Sequence, residues 1–111
     1  FDRSKVHFSH LYFGCSIKAL INLIEKKDYI FIGTNLNGNN AFFIKKKYMK
    51  LFEHKLQNIK IHPTKFRESR DLNNKLDYKN MKEGLQIIQH LPVFNIIDEK
   101  NYDIKDLVDF F

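Results

Sequence analysis

The chain has 111 residues at 13.4 kDa, with 43% hydrophobic, 29% charged and 14% aromatic residues, a size that fits one domain or part of one. It is too apolar for a disordered segment, its apolar runs are too short for a transmembrane helix, and its single Cys excludes a disulfide framework and a cysteine-built zinc site. The formal net charge of +6 and pI near 9.4 permit nucleic acid, anionic lipid or a phosphorylated substrate as partner.

Residues 1–10 have no helical period and read as an extended entry segment. Phe13, Ile17, Leu20, Ile21 and Ile24 then fall on one apolar stripe, which predicts a helix over about residues 11–27, with Lys26 and Lys27 at its negative end. Tyr29-Ile30-Phe31-Ile32-Gly33-Thr34 is β-branched and aromatic without polar alternation, the pattern of a strand buried on both faces. Asn35-Leu36-Asn37-Gly38-Asn39-Asn40 is a turn, because Asn and Gly tolerate positive φ. Ala41-Phe42-Phe43-Ile44 is a second strand, antiparallel to the first because so short a loop makes no parallel crossover.

Tyr48, Leu51, Phe52 and Leu56 have helical spacing, whereas residues 58–74 show no regular pattern. Met81, Leu85 and Ile88 predict a helix over about 78–90 that stops before Pro92. Val93 to Ile97 reads as a strand. Ile104, Leu107, Val108 and Phe111 match a final helical turn or two, with Asp103 as its N-cap. Residues 1–56 and 57–111 are taken as two portions of one domain.

Residue physics alone points to no activity. Sixteen of the 19 basic residues are Lys and only Arg3, Arg67 and Arg70 are Arg, and 13 Ile and 11 Asn accompany them. That mixture fits an AT-rich coding bias. The charge is therefore a weak footprint for nucleic acid, which is not the expected partner, and neither is a membrane. Phe13, Phe31, Phe42, Phe43 and Phe52 read as core, and Lys45-Lys46-Lys47 as a solvated strand end. The five His have no ligand spacing, and Cys15 reads as a small buried hydrophobe. No Gly-rich phosphate loop and no G-x-S-x-G elbow is present.

Two segments carry polar chemistry. The Asn35–Asn40 stretch is explained by turn formation, and its amides are also candidate substrate contacts. Phe66-Arg67-Glu68-Ser69-Arg70 holds two of the three Arg and reads either as a local ion-pair network or as an anion clamp.

Leu11-Tyr12-Phe13-Gly14-Cys15-Ser16-Ile17-Lys18-Ala19-Leu20, Lys27 to Asn35, Gly38 to Ile44, the Phe66–Arg70 run and Leu91-Pro92-Val93 together resemble the C-terminal half of bacterial class I S-adenosylmethionine-dependent methyltransferase-like proteins. The resemblance covers about Leu11 to Val93. It implies an α/β architecture: the C-terminal part of a Rossmann-like methyltransferase fold, a helix plus an antiparallel β-hairpin, followed by a mostly helical tail. Leu11–Lys27 is then the last helix, Tyr29–Thr34 the next-to-last strand and Asn40–Ile44 the last. The family's cofactor loop and its ribose-holding acidic residue fall before Phe1. The chain, which opens on Phe and not Met, is expected to be processed or a fragment, inactive alone and without a cofactor-binding residue. Asn35, Asn40, Arg67, Glu68 and Arg70 are the implied contacts for a small-molecule or saccharide-type substrate. A cytoplasmic location is expected, and an exposed sheet edge suits a homo-oligomer. The rival function is a basic nucleic-acid-binding or protein-interaction module without catalysis.

Overall fold

In the computed structural model, which describes residues 1–65 and 68–107, the first helix begins where Ser16 turns from extended to helical backbone. The Ser16 hydroxyl accepts a hydrogen bond from the Ala19 amide at 3.1 Å, satisfying one of the orphan donors of α1 (Ile17–Glu25). The helix is therefore shorter than the predicted 11–27. Gly14, with φ of +82°, breaks the chain out of helical geometry before it, and Asp28, with φ of +61°, turns it after. Ile17, Leu20, Ile21 and Ile24 are half-buried, and α1 packs on β1 (Tyr29–Thr34).

β1 pairs antiparallel with β2 (Ala41–Lys45), as predicted, from Tyr29 opposite Lys45 to Thr34 opposite Ala41. A bulge at Ile32 shifts the register between Phe31 and Gly33, leaving one residue of β1 without an opposite number. Phe31 is 8% exposed and meets Phe43 with ring centroids 5.5 Å apart. Only Phe31 and Gly33 of β1 are buried, so the strand is covered mainly on one face rather than on both. Among the described residues of this unit, α1 is the element that packs on the two-stranded ribbon. Phe13, Phe42 and Phe52, read as core, are likewise 47%, 49% and 40% exposed.

After β2 the helical spacing of residues 48–56 yields a broken element: a 3₁₀ turn at Lys46–Tyr48, the single turn α2 (Met49–Phe52), and a further 3₁₀ turn at Leu56–Asn58. None of the three starts with a side-chain cap, which fits their shortness. The chain then returns to the tip of the hairpin. There the Thr34 amide donates to Lys60 O at 3.1 Å and the Lys65 amide to Asn37 O at 2.9 Å.

These elements belong to one of two compact units, the described residues of Cys15–Phe66. The other comprises Phe1–Gly14 and the described residues of Arg67–Phe111. In the second unit the entry segment is not extended: Asp2 caps a 3₁₀ turn at Arg3–Lys5, its carboxylate accepting from the Ser4 amide at 3.1 Å and hydroxyl at 2.6 Å. α3 (Met81–Ile88) opens with a capping box. Asn80 Oδ1 accepts from the Glu83 amide at 3.0 Å, and Glu83 Oε2 accepts from the Asn80 amide at 2.9 Å. That cap, preceded by Tyr78 at φ of +50°, sets a start later than residue 78.

The helix stops before Pro92, where β3 (Pro92–Asn95) begins. β3 pairs antiparallel with β4 (Lys100–Asp103) through a turn in which Glu99 takes φ of +58°. Asp103, predicted as a helix cap, is the last residue of β4, and a 3₁₀ turn follows at Ile104–Leu107. Val108 and Phe111, the rest of the predicted final helix, lie outside the described residues. Ile88 and Ile104, each 7% exposed, form the buried apolar centre of this unit. The architecture is mixed α/β, with short helices and two small antiparallel sheets, so the tail is not mostly helical. Among the described residues no helix is long and apolar enough to cross a membrane.

Candidate functional site

The Asn35–Asn40 segment closes the β1–β2 hairpin. The Asn35 amide donates to Asn40 O at 3.1 Å, and the Gly38 amide to Asn35 O at 3.0 Å. The Asn35 side chain is consumed by the same turn. Its Oδ1 accepts from the Asn39 and Asn40 amides at 3.2 and 3.1 Å, and its Nδ2 donates to Asn39 Oδ1 at 2.7 Å. Asn35 is thus a structural residue by geometry, whereas the exposed Asn40 contributes only backbone groups to the turn.

The sequence pattern did not foresee that a distant segment seals this tip. Thr34 Oγ1 accepts from the His62 amide at 2.8 Å and lies 3.2 Å from His62 Nδ1. The two residues are 28 apart, so no local spacing announces the pair. Gly38, at φ of +64°, lies under the same segment; a Cβ there would stand 2.5 Å from His62 O and from Pro63 C, with Pro63 O also in the way.

In the other unit, Arg67 lies outside the described residues. Glu68 is exposed, and its Oε2 pairs with Arg3 Nη2 at 3.4 Å. Arg70 Nη1 donates to Asn74 O at 2.7 Å, and its amide donates to Ser9 O at 3.1 Å. Glu68 thus pairs with a guanidinium outside its own run, and Arg70 bonds backbone carbonyl rather than a carboxylate. Asp71 completes the loop by accepting from the Asn73 and Lys75 amides at 2.8 and 2.9 Å, with Asn74 at φ of +62°.

Between Glu68 and Arg70 stands the fully buried Ser69. Its hydroxyl donates to Asp77 Oδ1 and accepts from the Lys79 amide at 2.8 Å, while Lys79 Nζ pairs with Asp77 Oδ2 at 3.6 Å. Ser9, also fully buried, bonds His7 Nδ1 through its hydroxyl at 2.8 Å and accepts from the Leu11 amide at 3.3 Å. A serine beside a histidine suggests a nucleophile, but a hydroxyl with no solvent access cannot meet a substrate. Both serines are polar rivets. Cys15, expected to be buried, is exposed. Among the described residues no cluster of three His, Cys, Asp or Glu is arranged to hold a metal.

Among the described residues, β1 and β2 do not build the strand–turn–helix cradle of a dinucleotide-type site. In dinucleotide-type sites a strand passes through a Gly-rich turn into a helix whose amides face the ligand. Here β1 enters a hairpin and β2 enters a 3₁₀ turn through Lys45-Lys46. The substrate candidates fall on two separate segments, Asn35 and Asn40 in one unit and Glu68 and Arg70 in the other. No protein-family model matches the chain, and no curated protein or solved structure does either.

Proposed function

We propose that the chain is the substrate-side portion of a methyltransferase-like protein, acting in the cytoplasm, with S-adenosylmethionine held by residues outside it. The observation that carries the reading is the order of the Cys15–Phe66 unit: α1 packs on β1, and β1 returns antiparallel through a tight turn into β2. A helix followed by an antiparallel hairpin is the order that the sequence resemblance implies, and this supports the reading. The half-covered faces of the hairpin support it, with Phe42 49% exposed, because a terminal hairpin of a larger sheet is built to be covered by its neighbours.

In this reading the side-chain carboxamide of the exposed Asn40 orients a small-molecule or saccharide-type acceptor, while Asn35 holds the turn in shape. Methyl transfer from a sulfonium depends mainly on alignment, so positioning groups suffice on this side. The test is isothermal calorimetry with S-adenosylmethionine on two polypeptides. One is the 111-residue chain, and the other is the same chain with whatever its reading frame encodes before Phe1. The expected result is micromolar binding by the longer polypeptide and none by the shorter. Binding by the 111 residues, or none by the longer form, overturns the proposal.

A further inference from the structure

The net charge is not spread over the molecule. Cys15–Phe66 holds ten Lys, no Arg and three carboxylates (Glu25, Asp28 and Glu53), a formal charge of +7, while the remaining residues sum to −1. Every ion pair found among the described residues lies in the other unit: Arg3–Glu68, Lys5–Asp2, Lys79–Asp77 and Lys105–Asp103. Within the described residues of Cys15–Phe66, no lysine is ion-paired with Glu25, Asp28 or Glu53.

The fold gathers much of that charge at one end of the unit. Lys45 is opposite Tyr29, at the start of β1. The Lys46 amide donates to Asp28 O at 2.8 Å and Lys46 Nζ to Glu25 O at 3.2 Å, bringing the Lys45–Lys47 run against the C-terminal turn of α1, where Lys26 and Lys27 stand exposed. Every residue from Lys45 to Lys55 is exposed, and Tyr48, Met49, Leu51 and Phe52 lie between the lysines. Leu51 is 69%, Tyr48 45%, Met49 42% and Phe52 40% exposed, and Lys47 Nζ lies 4.8 Å from the centre of the Tyr48 ring.

We propose that the Lys45–Lys55 segment, with Lys26 and Lys27, docks this unit on an anionic lipid surface. The sequence reading took the lysine run for a solvated strand end; the structure adds the clustered Lys26 and Lys27 and the uncovered apolar side chains. A lipid surface answers both halves of the patch. Headgroup phosphates and carboxylates neutralise the ammonium groups, and the acyl boundary takes up Met49, Leu51 and Phe52. An RNA strand would meet the lysines and stack on Tyr48 but would leave Leu51 and Met49 in water. Lys without Arg fits diffuse attraction to a charged plane better than the bidentate reading of single phosphates. The docking is independent of the methyltransferase reading.

The experiment is co-sedimentation of the full chain with vesicles of phosphatidylcholine alone or with about 30% phosphatidylserine, alongside filter binding to poly(U). Binding to the anionic vesicles only is expected, falling steeply as salt is raised from about 50 to 500 mM. A Lys45→Gln/Lys46→Gln/Lys47→Gln variant should bind them about 100-fold more weakly, at about fivefold per lysine. A Leu51→Ser/Phe52→Ser variant, which keeps the charge, should lose at least about tenfold. The proposal is overturned by equal binding to neutral vesicles, by none to anionic vesicles at low salt, or by poly(U) binding tighter than vesicle binding and unmoved by the Leu51/Phe52 change. On the unmodified chain, anionic against neutral vesicles and vesicles against poly(U), each across the salt series, decide the matter even if a variant folds poorly.

Discussion

Replacing Gly38 by Ala probes the least yielding contact in the Cys15–Phe66 unit. Two costs add. A left-handed backbone costs an L-residue about 1–2 kcal/mol. The new methyl group would also stand 2.5 Å from His62 O and Pro63 C, about 1 Å inside an ordinary van der Waals separation. The His62–Pro63 segment must retreat, at an overpacking cost of about 1–3 kcal/mol. That second term has a ceiling, because the segment can instead let go. Detachment loses the Thr34–Lys60, His62–Thr34 and Lys65–Asn37 hydrogen bonds, at about 1 kcal/mol each. The expected total is about 2–5 kcal/mol. Gly14→Ala is the control: φ there is +82° but nothing lies within 4 Å of the added carbon, so only the backbone cost of about 1–2 kcal/mol applies. Urea unfolding followed by far-ultraviolet circular dichroism gives the totals. Hydrogen exchange of the Thr34, His62 and Lys65 amides shows whether the segment has lifted. If Gly38→Ala costs no more than Gly14→Ala and leaves those amides protected, the reasoning fails.

Ser69→Ala should destabilise by about 2–4 kcal/mol, because Asp77 Oδ1 and the Lys79 amide both lose a buried partner; a urea midpoint within error of the parent would contradict this. Asn35→Ala should cost about 1–2 kcal/mol in the same assay and Asn40→Ala less than about 0.5, since only the first side chain holds the turn; equal losses would refute the division of roles. The Ser4 hydroxyl and amide hold the Asp2 carboxyl below its ordinary 3.8, so its contribution is complete above that value and fades as pH falls through the lower folded one. The Ser4 amide resonance should therefore titrate with a midpoint under 3.8 and stop titrating in Asp2→Asn, and a midpoint at or above 3.8 would contradict the assignment.

The hairpin was legible in the sequence because its signals are local. β-branched and aromatic residues flank an Asn/Gly turn, and Tyr29–Thr34 and Ala41–Lys45 form with the expected pairing. Helix ends were less legible, since Ser16 and Asn80 act through side-chain caps that the apolar stripe does not register. β4 was missed because Lys100-Asn101-Tyr102-Asp103 carries no strand-forming alternation; its partner Pro92–Asn95 and the Glu99 turn place it. Of the candidate site, Asn35 was recognisable as turn chemistry. The Thr34–His62 and Ser69–Asp77 bonds join residues 28 and 8 apart, and only the folded chain brings them together.

The uneven placement of charge makes the two units answer dissolved electrolyte in opposite senses. Mobile ions quiet the mutual repulsion of ten ammonium groups in Cys15–Phe66, so raising ionic strength firms that unit, while the same ions loosen the four carboxylate pairs that brace the other.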